Sequence, residues 1–212
     1  MKILLIGDVH GHDKPLEKIL IKETADKIIQ TGDLAGGKIH YLSNPRGLDR
    51  CIDLLKEANA QVIRGNHDFW MINLKLISKK AKKYLSNLPQ KIILEDFPEI
   101  LFQHTMPSGE KQSLPTRKKF LNEMNIMKIK YPQYNVIFHG HSHISSITSE
   151  KNNELEYKVN PKFDENYFLS NKIKYIVDIG IIFDYTPGRI LNSPRYAIYD
   201  TNKTELTFKK IN

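Results

Sequence analysis

The beginning of the chain constrains it most, because the apolar run Ile3 to Ile6 stops abruptly at Gly7-Asp8-Val9-His10-Gly11-His12. A buried strand that delivers an Asp and a His two residues apart, with glycines on both sides, is a metal-ligand arrangement rather than a plain turn. The pattern recurs. Gly32-Asp33 follows Lys27 to Thr31, and Gly65-Asn66-His67-Asp68 follows Gln61 to Ile63. His104 follows Ile100 to Gln103, and Gly140-His141-Ser142-His143 follows Val136 to Phe138. Each apolar run hands an oxygen or imidazole ligand to the end of a sheet.

Between these runs the spacing predicts helices. Pro15 to Lys22 places Leu16, Ile19 and Leu20 on one side, with Asp13 as cap, and Gly47 to Ala58 repeats Leu48, Cys51, Ile52 and Leu55 at helical intervals. Strand, helix, strand, helix, strand predicts parallel pairing with right-handed crossovers. Phe69 to Leu88 reads as two short helices stopped by Pro89. Trp70 either walls a pocket or, the preferred reading, packs into the core at the start of the first. Lys91 to Leu94 and Ile100 to Gln103 read as strands around a turn at Asp96 to Glu99, and Arg117 to Tyr131 as a helix with Phe120, Leu121 and Met124 inward. Leu34 to Arg46 and Thr105 to Thr116 read as loops. Beyond His143 the strands Ile144 to Thr148, Glu154 to Val159, Lys172 to Ile179, Arg195 to Tyr199 and Thr204 to Lys209 follow with no long helix between them. They predict antiparallel strands that finish a second sheet.

Composition narrows the chemistry. A chain of 212 residues can bury one substantial core, so one domain spanning 1–212 is expected. No apolar run approaches the roughly 20 residues that cross a bilayer, and Met1-Lys2 leads straight into a strand, so a soluble cytoplasmic protein without a membrane partner is expected. With Cys51 the sole cysteine, disulfides and thiolate cages are excluded, leaving His, Asp, Asn or water to hold a metal. The formal charge of +8 favours anionic partners. Lys79-Lys80, Lys82-Lys83 and Arg117-Lys118-Lys119 are either a nucleic-acid surface or a solvated basic face.

Asp8, His10, Asp33, Asn66, His104, His141 and His143 offer enough oxygen and imidazole ligands for two divalent ions, and one more than a single octahedral ion accepts. A carboxylate can bridge two ions, whereas an imidazole nitrogen with one lone pair cannot. Asp33 is the expected bridge, because it stands in its motif without a neighbouring His.

Over residues 1–143 these motifs, in this order, resemble those of the calcineurin-like metallophosphoesterases. The resemblance implies an α/β (α+β) fold, a four-layer αββα sandwich of two mixed sheets flanked by helices, with metals at the strand ends. It implies that Asp8, His10, Asp33 and His143 hold one ion while Asp33, Asn66, His104 and His141 hold the other. The ions would be manganese, with iron or zinc equally suited to mixed nitrogen and oxygen ligands. His67 would remain unmetallated, close to the leaving-group oxygen, where an imidazolium can protonate it. Paired ions activate water and neutralise phosphoryl oxygens during in-line displacement. The implied activity is hydrolysis of phosphate mono- or diesters of a small or nucleotide-type substrate. Alternatives are a dinucleoside polyphosphate hydrolase, a phosphodiesterase on nucleic-acid ends, a Ser/Thr protein phosphatase, or a metal-binding scaffold of the same fold.

The chain departs from the protein-phosphatase branch after Asp33. Gly36 and Gly37 stand where that branch carries an orienting Asp and a phosphate-clamping Arg, and Asp68 stands where it has Glu. Arg64 either touches substrate phosphate or forms a structural ion pair, while Arg189 and Arg195 receive no role. His12 and His139 are read as supporting or packing residues and His40 as a surface residue.

Overall fold

Side chains alternate across a strand, and in β1 (Lys2–Ile6) every residue after Lys2 is buried, so this strand lies between two layers. Ile3 and Leu5 enter a cluster shared with Phe102, Phe138 and Val177, whereas Leu4 and Ile6 enter a second cluster with Leu16, Ile52 and Leu55. The first cluster joins two sheets. The second joins a sheet to helices.

The computed structural model describes residues 1–37, 44, 46–74, 76–109, 116–151, 154–183 and 194–211, among which lie twelve strands and five helices. In the first sheet β2 (Lys27–Gln30) and β3 (Gln61–Val62) run parallel to β1, as the alternation of elements predicts. On the other side of β1 come β11 (Arg195–Asp200), β12 (Glu205–Lys210) and β9 (Asn166–Phe168), each antiparallel to its neighbour. The second sheet has at its centre β5 (Phe97–Gln103), β6 (Val136–His139) and β10 (Tyr175–Asp178), all parallel. Antiparallel strands flank them, β4 (Lys91–Leu94) on one side, β7 (Ser146–Lys151) and β8 (Glu154–Val159) on the other.

Helices close both outer faces. Against the first sheet lie α1 (Asp13–Lys22), α2 (Gly47–Glu57), α3 (Asn66–Asn73) and α4 (Lys79–Ser86), burying Ile19, Cys51, Met71 and Leu85. Against the second lies α5 (Arg117–Lys130), whose Met124 and Met127 pack on Leu101, Ile137 and Ile176. The result is the αββα sandwich of two mixed sheets. No helix among the described residues is long and apolar enough to cross a membrane.

Several expectations need correction. The later strands divide between the sheets, and β10 is parallel to β6 because Tyr175 to Asp178 is buried throughout and fills a central position. Helix α3 starts at Asn66, three residues before the expected Phe69, so Asn66 and His67 occupy its first turn. Asp13 lies inside α1 rather than capping it, and its Oδ1 accepts from Asn44 Nδ2 at 3.0 Å. Leu121 is 44% exposed, because α5 faces its sheet with Phe120, Met124 and Met127. The β4–β5 turn is shorter than expected, since β5 already starts at Phe97. Strand β9 was not anticipated. His40, Arg189 and parts of the two expected loops lie outside the described residues.

Phe102 is fully buried between the sheets and stacks on Phe138, ring centroids 5.5 Å apart. Phe102→Ala is expected to cost about 3–5 kcal/mol of stability by urea unfolding; a loss of only a few tenths would show that the inter-sheet layer is not the main core.

Candidate metal centre

The strand ends bring the predicted ligands together. After β1 come Asp8 and His10, after β2 Asp33, after β3 Asn66, after β5 His104, and after β6 His141 and His143. The Nε2 atoms of His10 and His143 are 3.0 Å apart, and Asp8 Oδ2 lies 3.5 Å from His143 Nε2. Nearby, Asn66 Oδ1 lies 2.9 Å from His104 Nε2 and 2.8 Å from His141 Nδ1. The Asp33 carboxylate stands between these groups, Oδ2 at 3.9 Å from His10 Nε2 and Oδ1 at 3.3 Å from His104 Nε2. Three overlapping clusters result, Asp8–His10–His143, His10–Asp33–His67 and Asp33–His104–His141, each with its ligand atoms within 4.8 Å of one another.

The local backbone is distorted to achieve this. His10, Asp33, His141 and His143 have φ of 49°, 55°, 73° and 63°, left-handed values that cost non-glycine residues energy and that gather at functional sites. The Asp33 carbonyl accepts the N–H groups of Val9 and His10 at 3.1 and 3.0 Å, fastening the first turn to the second. Both Asp8 oxygens accept the His141 N–H, at 3.2 and 2.9 Å, fastening the first turn to the last. Asp68 ties the second motif to the third, because its carboxylate accepts from Gly65, Ala35 and Leu34 N–H at 2.8, 2.7 and 3.3 Å. Sequence reasoning missed that role. Burial raises the Asp68 pKa to about 6. Glycine is required where Gly32 adopts φ of 104° and a Cβ would overlap the His104 ring.

This donor set fits divalent cations. Asp8, Asp33 and His104 are almost wholly buried, and carboxylates and imidazoles gathered there need compensating charge. Burial pushes Asp8 well above the usual carboxylate range. At Asp33 burial acts in the same direction, but His104, His10 and His67 outweigh it and hold the group below that range. Burial opposes a proton on His104, yet Asp33 and Asp8 prevail and raise it to about 10. Burial lowers His141 and His143 to about 4 each, so both are neutral at pH 7 with lone pairs available to a cation. His104 Nδ1 lies 3.0 Å from the Thr31 carbonyl, a hydrogen bond that would direct Nε2 toward a metal.

A model of the family described as calcineurin-like phosphoesterase matches residues 1–178. The chain belongs to this family. It is therefore a metal-dependent phosphoesterase, a hydrolase of phosphoric ester bonds. An uncharacterized protein of Methanocaldococcus jannaschii is 24% identical over 241 residues, covering 99% of this chain and 86% of the relative. A metallophosphoesterase from Sphaerobacter thermophilus superposes with TM-score 0.76 at 23% identity, covering 100% of this chain and 89% of that one. A hypothetical protein from Pyrococcus horikoshii gives 0.67 at 14% identity, with 100% and 88% covered. These two structures share the calcineurin-like fold. The family match ends at Asp178, the last residue of β10, beyond the motifs that first revealed it.

The remaining candidates separate clearly. A ring nitrogen of His67 lies within 4.8 Å of the ligand atoms of His10 and Asp33, and its backbone N–H donates to Asp33 Oδ1 at 2.8 Å. Trp70 is 56% exposed, against the preferred core reading, and its ring is 4.9 Å from that of His67. Arg64 makes no ion pair among the described residues and lines a cleft beside Asn66 and His104. Arg195 is structural, donating from Nη1 to the Pro161 carbonyl at 2.9 Å and stacking over Phe163. His12 stacks on Phe183 with centroids 3.8 Å apart, and His139 is buried with Nδ1 3.4 Å from Asp178 Oδ2. Gly180 also supports the site, since its carbonyl accepts the Asp8 N–H at 3.0 Å. Phe69 and Trp70 were legible in principle, being three residues after Asn66 and His67 on one helix.

Gly32→Ala is expected to displace the His104 ring while the distant core persists. Circular dichroism should be nearly unchanged, with metal content by elemental analysis markedly reduced. Full metal content would show that His104 can move without consequence.

Proposed function

We propose that the chain is a dinuclear phosphoesterase acting on mono- or diesters of a small or nucleotide-type substrate. The placement of the Asp33 carboxylate carries this reading, because its two oxygens face different ligand groups, at 3.9 Å from His10 and 3.3 Å from His104. Asp8, His10, Asp33 and His143 are assigned to one ion; Asp33, Asn66, His104 and His141 to the other. Manganese is the expected metal, with iron or zinc as alternatives. When bound, the pair supplies an activated water and neutralises charge on the phosphoryl oxygens.

The protein's own contribution is position and a proton. His67 is held from one side by its N–H bond to Asp33 and from the other by Trp70. Its Nδ1 is buried with no hydrogen-bond partner among the described residues. The orienting carboxylate of the protein-phosphatase branch is replaced by Gly36, and the aim of the imidazole rests on packing instead. That absence, with the missing Arg at Gly37, favours a small substrate over a phosphoprotein.

Asp33→Asn is expected to lower occupancy at both metal positions, and His143→Ala chiefly at one, as read by elemental analysis after reloading with manganese. Equal loss in both variants means the bridge is misplaced. His67→Ala should retain its metals and lose activity in proportion to leaving-group basicity. On alkyl and nucleoside esters the loss is expected to be roughly 10²-fold or more, and on nitrophenyl esters, whose leaving group needs no proton, much smaller. A ratio of kcat/KM independent of leaving-group pKa would assign His67 to phosphate binding, and loss of a metal would make it a ligand.

A further inference from the structure

A cleft of about 530 Å³ opens beside the ligand cluster, between the start of α3 and strands β4 and β5. Asn66 and His104 form part of its wall, so the cleft adjoins the cluster assigned to the metals. The volume suits a nucleotide-sized group.

The lining specifies the chemistry of that substituent. It carries the cations Arg64 and Lys91 and no carboxylate, and neither cation forms an ion pair with a described residue. Two cations in a lining without a carboxylate favour an anion. Two aromatic rings face the same space. Tyr131 is anchored, because its side chain packs on the Met124–Met127 cluster and its N–H donates to the Met127 carbonyl at 2.9 Å. Phe69 is 55% exposed and joins none of the three buried clusters, so packing does not explain it. Standing one helical turn after Asn66 on α3, it lies on the ligand's side of the helix. Gln103 donates its amide to the Thr105 carbonyl at 2.8 Å, leaving an amide oxygen able to accept from a base edge.

We propose that this cleft binds the leaving group of the reaction, and that the leaving group is a nucleotide released through one of its sugar hydroxyls. The base packs against Phe69 and Tyr131, and the nucleotide's remaining phosphate sits on Lys91. This inference rests on the phosphoesterase reading and deepens it. In the reaction, a water oxygen forms a new bond to phosphorus, the bond from phosphorus to the sugar oxygen breaks, and one proton of that water ends on the sugar oxygen, so the products are a nucleotide bearing a free hydroxyl and a phosphate or phosphate monoester.

The test is calorimetric titration of the metal-loaded protein with adenosine 5′-monophosphate, first alone and then with inorganic phosphate at saturation. Separate subsites predict that the nucleotide still binds in the presence of phosphate. Phe69→Ala and Lys91→Ala are each expected to weaken it roughly tenfold, the size of a stacked base or an ion contact, and Phe69→Tyr, which keeps the ring, should restore the wild-type value. Binding of adenosine itself should respond to Phe69→Ala and not to Lys91→Ala. Outright competition between nucleotide and phosphate, or affinities within twofold of wild type in both alanine variants, overturns the proposal. The titration needs no turnover. Nucleotide binding in a protein that hydrolyses no ester removes the phosphoesterase reading and leaves the subsite, whereas turnover without nucleotide binding does the reverse.

Discussion

A buried carboxylate between two groups of imidazoles is the arrangement on which the rest of this structure depends. Asp33 is 1% exposed, and such a charge is tolerated only where opposite charge and hydrogen bonds surround it. Everything close to it serves that need. His104 and His10 lie within 4 Å, the N–H of His67 donates to Asp33 Oδ1, and the Asp33 carbonyl accepts two N–H groups of the first turn. The left-handed backbone at His10, Asp33, His141 and His143 is the cost of turning the chain back toward this point within a few residues of each strand. A fold that had to minimise local strain alone would not place these residues here.

Topology explains how the residues converge. Parallel strands point their C-terminal ends the same way, and β1–β2–β3 in one sheet and β5–β6–β10 in the other each release their ligand or support loops at those ends. The sandwich then presses the two rows of ends together through the layer that holds Ile3, Leu5, Phe102 and Phe138. Stability and chemistry are thus linked at β1, whose inward residues build the core while its last turn carries Asp8 and His10.

The convergence of these residues was legible in the sequence because each follows an apolar run at a fixed short distance, a local pattern that needs no knowledge of tertiary contacts. The parallel half of the first sheet was legible for the same reason. What escaped depended on partners far along the chain. Nothing local in Tyr175 to Asp178 states that it pairs with β6 rather than extending an antiparallel edge, and the brief β9 is defined mainly by its pairing with β12. The start of α3 was misplaced because Asn66 and His67 are poor helix formers; their site in the first turn is stabilised by Asp68, which bonds the N–H of Gly65. Trp70 was read as core because aromatics usually are, but exposure is decided by what lies opposite, and opposite Trp70 lies His67 at the open side of the site.

The role of α3 follows from this. In one turn the helix presents Asn66 and His67, and in the next Phe69 and Trp70, residues three apart that lie along the same sides. Phe69 thereby belongs with Asn66 and the cleft, and Trp70 with the imidazole of His67. Where the protein-phosphatase branch orients its histidine and clamps phosphate from the second motif, this chain has only Gly36 and Gly37 there. A glycine pair cannot supply charge, and Gly37 lies close enough to the His67 ring that even a Cβ there would only touch it, at 3.5 Å. Positioning of the His67 ring therefore falls to its neighbours on α3, with Trp70 at 4.9 Å between ring centroids.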